Sequence, residues 1–435
     1  MAADIRTIKT KAEQALAETY ASAKAKLPGQ GAVATLREDA FQRFDSQGLP
    51  HRRVEEWKYT DLRTLMRDAK PLAAPPDAAA KAQAAKAGEL LASLDCRRLI
   101  FADGMFVPEH SDLTTEKGLT VCSMADALAK GGVLVTKHVG KVFETKDPAV
   151  ALNTALMGDG IVIHVAAGTR LAKPILLIFA GGQTASVFLR SLVVIEKGAT
   201  ATLIEHHQTA EAHVNSALEA IVADEARLDH FKITQAQGLH IASLLASVGA
   251  RAQFNSFAFT PDSALVRNQT FLRYAGARTQ SALGGVSLLK GKQHVDTTLL
   301  IEHVAEGCES RELYKSVLDG QSRGVFQGKI VVEPQAQKTD AKMLSNALLL
   351  SDDAEADNKP ELEIFADDVQ CGHGATAGAL SHELLFYLRA RGIPEKEAET
   401  LLIQAFIGEV IETIAHEGLR EALMGAAVEW LRARE

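Results

Sequence analysis

Ile161-Val-Ile-His-Val165, followed almost at once by Gly168-Thr-Arg-Leu171, opens the part of the chain that decides its fold. Branched Val and Ile suit a pleated strand, and glycine suits a sharp corner, where it can adopt φ > 0 without a side-chain clash. The same turn signal returns at Gly198-Ala-Thr-Ala201, Glu225-Ala-Arg-Leu228, Gly249-Ala-Arg-Ala252 and Gly276-Ala-Arg-Thr279, whose first residues stand 30, 27, 24 and 27 positions apart. Strand-like runs such as Leu192-Val-Val-Ile195 and Ala201-Thr-Leu-Ile204 lie between them. Short strands and tight turns recurring at that period predict a solenoid whose units stack their apolar faces. Helical solenoids need long stretches at 3.6 spacing, whereas these segments alternate with period two, so a mainly β protein with a β-helix core is expected. The pattern continues through Gly328-Lys-Ile-Val-Val332 and Leu362-Glu-Ile-Phe365, placing that core at 151–380.

The flanks read as helical. Ile8, Ala12, Ala15, Leu16 and Thr19, then Val33, Leu36, Ala40, Phe41 and Phe44, fall three or four apart and predict two amphipathic helices around Pro28-Gly29. The polar and aromatic segment His51 to Leu62 follows, then a linker or surface helix from Lys70 to Gly88, so residues 1–150 are expected to form an N-terminal helical domain with a linker and a short α/β segment. From 381 to 435, Leu384, Leu385 and Leu388, then Leu402, Phe406, Ile407, Val410 and Ile414, predict a C-terminal helical domain. Gly392 and Pro394 separate its first two helices, Gly418 is expected to end the second, and a last amphipathic segment starts at Leu419. Helices at both ends of a β-solenoid would cover its open edges or dock a partner.

A net charge of -8 argues against a nucleic-acid partner, because phosphate binding needs a basic surface. The N-terminus lacks the apolar core of a secretory signal, and no apolar run reaches the roughly 18 residues of a membrane span, so a cytoplasmic protein without membrane association is expected. Cys96, Cys122, Cys308 and Cys371 form no CxxC pair, so neither a disulfide framework nor a self-contained metal site is signalled. The run Gly324-Val-Phe-Gln-Gly328-Lys329 superficially suggests a phosphate loop, but a Walker A loop needs four residues between its glycines and Ser or Thr after the Lys. It reads as a turn and strand, and any use of ATP would require a separate subunit.

The strongest chemical candidate is Cys371-Gly372-His373. In an extended chain residues two apart share a face, so thiolate and imidazole would stand side by side, the ligand types of iron–sulfur chemistry. Beside this stands the plainer reading of Cys371 as a small buried hydrophobe and His373 as a hydrogen-bonded edge residue. Two donors cannot hold a cluster that takes four, so a metal site here would be partial or shared. His294, Asp296 and Glu302 would also share a strand face, either as an acid–base or hard-metal set or as a solvated or interface face. His206-His207, with Glu205 before and His213 after, is equally ambiguous, and Asp352 to Asp357 reads as a solvated loop ending before a turn at Lys359-Pro360.

Phe326-Gln-Gly-Lys-Ile330, Gln337-Lys-Thr-Asp340, Asn346, Lys359-Pro-Glu-Leu-Glu-Ile364, Ala366-Asp-Asp-Val369, Cys371 and His373-Gly-Ala-Thr376, with Leu385-Phe-Tyr-Leu-Arg389, resemble the SufB/SufD family. Within it the Cys-x-His-Gly-Ala-Thr form is similar to the SufD branch, as is Glu55-Glu-Trp-Lys-Tyr-Thr60. Ser381, Lys342 and Leu344-Ser345 depart from the commonest residues of the family. The resemblance implies a right-handed parallel β-helix flanked by helical domains, and a non-catalytic scaffold subunit for iron–sulfur cluster assembly. The implied partners are a SufB-like paralogue, a SufC-like ABC ATPase docking on the C-terminal helices and, indirectly, a cysteine desulfurase system. A transient iron–sulfur cluster would form at the shared interface, with His373 the foremost ligand from this chain and Cys371 beside it, ATP would act only through the partner, and a reduced flavin on the complex is left open. The rival readings are a secreted-type β-helix carbohydrate-active enzyme working through Asp296, Glu302, Asp367 or Asp368, and a metal-free structural adaptor.

Overall fold

The computed structural model describes residues 9–434, so the Ile8 end of the expected first helix lies outside the described residues. Sixteen strands between Ile161–Val165 and Gln370–Gly378 alternate between two parallel sheets, giving a parallel β-helix. Within one coil, Leu239–Val248 belongs to the nine-stranded sheet, a short turn follows, and Gln253–Pro261 belongs to the ten-stranded sheet. The next coil then pairs residue on residue, Leu239 with Leu265 and Gln253 with Gln280. Both sheets begin earlier than residue 151. Arg97–Ala102 pairs in parallel with Ile175–Gly181, and Leu119–Ser123 pairs antiparallel with Ile161–Val165, because these segments supply the hydrogen bonds that the first coil's edges would otherwise lack.

The corner residues fall in one column, Gly168, Gly198, Glu225, Arg251, Arg278, Gly307 and Lys338, all with φ between 54° and 69°. Each N–H donates to a carbonyl of the next coil, as from Gly198 to Asp224 (3.0 Å) and from Arg251 to Ala277 (2.9 Å). Gly249 and Gly276 therefore stand two residues before the left-handed position that the repeat assigned to them. They are needed for close approach instead: a Cβ on Gly276 would lie 2.0 Å from the backbone nitrogen of Ala250. The run 324–329 lies within the strand Arg323–Val332, where a Cβ on Gly328 would meet the Met343 sulfur at 2.3 Å. Lys359-Pro360 is not a turn but part of the strand Glu355–Ile364. That strand is the last of its sheet, the place where a residue without an N–H is tolerated.

The helices Lys11–Ala23, Ala32–Gln47 and Pro148–Leu156 pack as Leu16, Tyr20, Ala40, Phe44, Leu152 and Leu156 against Phe188, Leu239 and Ile241 on the outside of the nine-stranded sheet. The helix Glu395–Ile411 buries Ile403, Ile407, Val410 and Ile411 against Phe257, Val286, Leu288 and Val317 on the outside of the ten-stranded sheet. The C-terminal helices thus lie along a lateral face, and the last strands of both sheets have no further strand beyond them among the described residues. Gly418 does not end a helix; it lies in the first turn of Glu417–Ala433, where a Cβ would meet Leu94 at 2.8 Å. No helix among the described residues is long and apolar enough to cross a membrane.

Candidate functional site

Gln370–Gly378 is the outermost strand of the ten-stranded sheet. Its register with Asp340–Leu349 places Cys371 on Ala341 and His373 on Met343. Ala341 and Met343 are completely buried inside the solenoid, so Cys371 and His373 take the inward positions of a coil that nothing further covers. Cys371 is half-buried and packs against the interior apolar cluster, and burial pushes its thiol pKa up. His373 is exposed. Opposite them, Asn358 of the last strand of the other sheet accepts a hydrogen bond from Ser345 (2.7 Å), closing the final full coil across the interior. Ile364 and Phe365 are exposed at the end of that same strand. Among the described residues no three His, Cys, Asp or Glu side chains come together as a metal site.

The other sequence candidates are absorbed by the architecture. Asp296 is fully buried on the outer face of the nine-stranded sheet, in contact with the Arg267 guanidinium and the Thr60 hydroxyl. His294 lies 3.0 Å from the same hydroxyl. Glu302 pairs with Arg273 at 2.7 Å, and Asp368 pairs with the exposed Lys338. The Glu55–Thr60 segment is what covers this face: Trp57 stacks 3.8 Å over the Arg267 guanidinium and donates to Asp147 (2.8 Å), while Arg267 and Gln327 donate to the Glu56 carbonyl. That motif is a tie between the N-terminal region and the β-helix.

His206 and His207 point to opposite faces, as neighbours in a strand must. His207 joins an interior set in which Glu205 lies 3.3 Å from His207 and 2.9 Å from His230, while Lys232 donates to Asn268 (2.6 Å). Burial works against the Glu205 charge, but the two imidazoles hold its carboxyl well below the usual range. Burial lowers the Lys232 ammonium to about 8, with Glu205 opposing. The set borders a cavity of about 30 Å³, room for a water molecule, and is a core network in which the buried His207 Nδ1 has no hydrogen-bond partner among the described residues.

Burial lowers His206 to about 4 and His303 to about 3. Below the ordinary histidine pKa the unfolded chain takes up protons that the native chain refuses, so native stability falls as pH drops from about 6.5. His303→Gln is expected to remove about 2 kcal/mol of the stability lost between pH 6.5 and 5. Urea midpoints at the two pH values measure this, and an unchanged loss would contradict it.

Sequence reasoning missed Glu312. It occupies an inward position of Glu309–Leu318, in register with Met343, and is almost fully buried. Flanked by Arg311, it carries the local signal of a surface residue; only the alternation Ser310, Glu312, Tyr314 points it inward.

Comparison with known proteins covers nearly the whole chain. The family described as SUF system FeS cluster assembly, SufBD core domain, matches residues 178–406, and the SufBD protein N-terminal region matches residues 10–177. The iron–sulfur cluster assembly protein SufD of Escherichia coli is 34% identical over 396 residues, 88% of this chain and 90% of that protein. An iron–sulfur cluster assembly SufBD family protein of Synechocystis is 30% identical over 409 residues, covering 89% and 88% of the two chains. SufD of Bacillus subtilis is 24% identical over 409 residues, covering 89% and 92%.

Proposed function

Because the chain belongs to the SufBD family of iron–sulfur cluster assembly proteins, we propose that it is a non-catalytic scaffold subunit whose open β-helix end forms half of a cluster-assembly interface. The observation that carries this reading is the placement of Cys371 and His373 at inward positions of an unpaired edge strand. Two soft or borderline donors facing an uncovered end suit a site completed by a second chain, and a SufB-like paralogue with its own β-helix end is the partner we assign there. His373 supplies an imidazole nitrogen to iron, and its exposure makes it available without rearrangement. Cys371 ligates only after losing a proton, which its burial disfavours until iron arrives, so His373 binds first and Cys371 follows. The cluster is cargo, built at the interface and passed on.

The helix His382–Ala390 follows directly on the site strand and leaves Leu384, Phe386 and Tyr387 exposed, with Phe386 at 74%. An apolar helix surface of this kind marks a protein contact. We assign it to a SufC-like ABC ATPase, since this sequence has no phosphate loop of its own, and ATP-driven movement of the helix would be transmitted to the adjoining site strand. Sulfur would reach the interface from a cysteine desulfurase system through the paralogue, and the complex would work in the cytoplasm. A carbohydrate-active enzyme is disfavoured by the occupation of Asp296 by Arg267 and of Glu302 by Arg273.

Anaerobic co-expression with the genomic neighbours tests the proposal. The expected product is a brown complex holding this chain, a paralogue and an ATPase. A monomer, or a complex without the ATPase, would overturn it.

A further inference from the structure

Strand alternation puts Glu312 in the same inward column as Met343 and His373, with Leu283 on the coil beneath. Strands in a sheet are about 4.8 Å apart, so two rungs, roughly 10 Å of backbone, separate Glu312 from His373, and Met343 stands between them. The neighbouring column runs Ser281, Ser310, Ala341, Cys371, and the one on the other side runs Gly285, Tyr314, Ser345, Ala375. Glu312 is 2% exposed, and neither of its carboxyl oxygens makes a hydrogen bond of good geometry, although the Ser310 hydroxyl lies near enough to favour its charge.

The groups around it supply no compensating charge. Tyr274 and Tyr314 both feel its charge, and both are buried and neutral. His303, which shares Ser310 with this part of the interior, is neutral too. The Arg311 guanidinium binds Asp340 on the outside of the sheet, where it is partly exposed. Burial raises the Glu312 carboxyl to about 8, with Ser310 and Arg311 pulling weakly the other way, so at neutral pH it holds its proton. Its charge also reaches the Cys371 thiol, which it helps to raise. A buried acid with only the nearby Ser310 hydroxyl to offset its desolvation adds little to the fold, and an apolar side chain of the same volume would serve packing better.

We propose that Glu312 is a positioning residue for the open-end site: a cation arriving at Cys371 and His373 expels the Glu312 proton, and the resulting carboxylate balances the new charge from inside the solenoid. This rests on the reading of Cys371 and His373 as ligands. The balance is simple. The carboxyl O–H breaks, its proton passes to buffer, the cation keeps its oxidation state, and the Cys371 thiol releases a second proton on ligation. The cation and the Cys371 thiolate together bring one net positive charge, which at that separation, in a medium of intermediate polarity, favours the ionised carboxylate by roughly tenfold or more. That is enough to bring a mostly protonated group to about half ionised at neutral pH.

The test uses the full chain in the complex with which it co-purifies, and Zn²⁺ as a redox-silent probe. Calorimetric titration in two buffers of different ionisation enthalpy counts the protons released at pH 7. Wild type is expected to release about half a proton more per Zn²⁺ than Glu312→Gln, and its log affinity to rise more steeply with pH by about one half. Equal counts and slopes would overturn the inference and leave the ligand reading intact. Unchanged Zn²⁺ affinity in His373→Ala, or no binding by wild type, would overturn both. Should Glu312→Gln fail to fold, difference infrared spectra of wild type carry the test, since a protonated-carboxyl band should lose about half its intensity when Zn²⁺ is added at pH 7. A band of unchanged intensity would also overturn the inference.

Discussion

Replacing His373 with alanine is expected to cut de novo cluster formation by the purified complex roughly tenfold or more while its subunits stay together. The two halves of that expectation have separate physical grounds. His373 is exposed on an edge strand, and the strand's pairing with Asp340–Leu349 is made by backbone groups that the substitution leaves in place. Loss of such a side chain costs within about 0.5 kcal/mol of stability. If this pair binds iron as proposed, the imidazole is the more available group, since Cys371 is half-buried and burial raises its thiol pKa. Reconstitution with iron and sulfide under anaerobic conditions, followed by absorption, measures the effect. Normal reconstitution by His373→Ala would remove this residue from the ligand set and favour a metal-free adaptor.

The second large effect is on stability. Arg267→Ala is expected to cost about 3–5 kcal/mol, because it leaves the buried Asp296 carboxylate without its counter-charge. Arg267 and Asp296 are both buried, and the guanidinium also holds Trp57 at 3.8 Å, Gln269 at 3.0 Å and the Glu56 carbonyl at 2.6 Å. One substitution therefore strips the outer face of the nine-stranded sheet of its tie to the N-terminal region. Urea unfolding of Arg267→Ala, Asp296→Ala and the double variant gives the coupling directly. If the single variants unfold at the wild-type midpoint, the tie contributes little, and Asp296 would need another explanation for its place beneath Thr60.

Much of this was legible in the sequence because it is local. Period-two alternation and recurring turn signals follow from the strand's own geometry, so the β-helix and the shared face of Cys371 and His373 could be read without any contact map. The corner register was read two residues early at Gly249 and Gly276, because glycine answers both to a left-handed φ and to crowding from a neighbouring backbone. There Arg251 and Arg278 take the left-handed position, and the glycines make room for the coil beneath. Asp296 and Glu302 looked like chemistry for a related reason. Alternation places them on one face, but their partners Arg267 and Arg273 lie 29 positions earlier, one coil away.

The amino-acid sequence by itself determined the repeating coil, the helical flanks, the lack of a phosphate loop and the pairing of thiol with imidazole. The tertiary structure decided which strand is last. Only the order of the sheets shows that Gln370–Gly378 has a free edge, that the C-terminal helices lie beside the ten-stranded sheet instead of capping it, and that Glu312 is sealed two rungs behind His373. The physical reason is the same in each case. Alternation is a property of neighbouring residues, whereas burial and exposure in a solenoid depend on what stacks above and below, some 26 to 31 residues away along the chain.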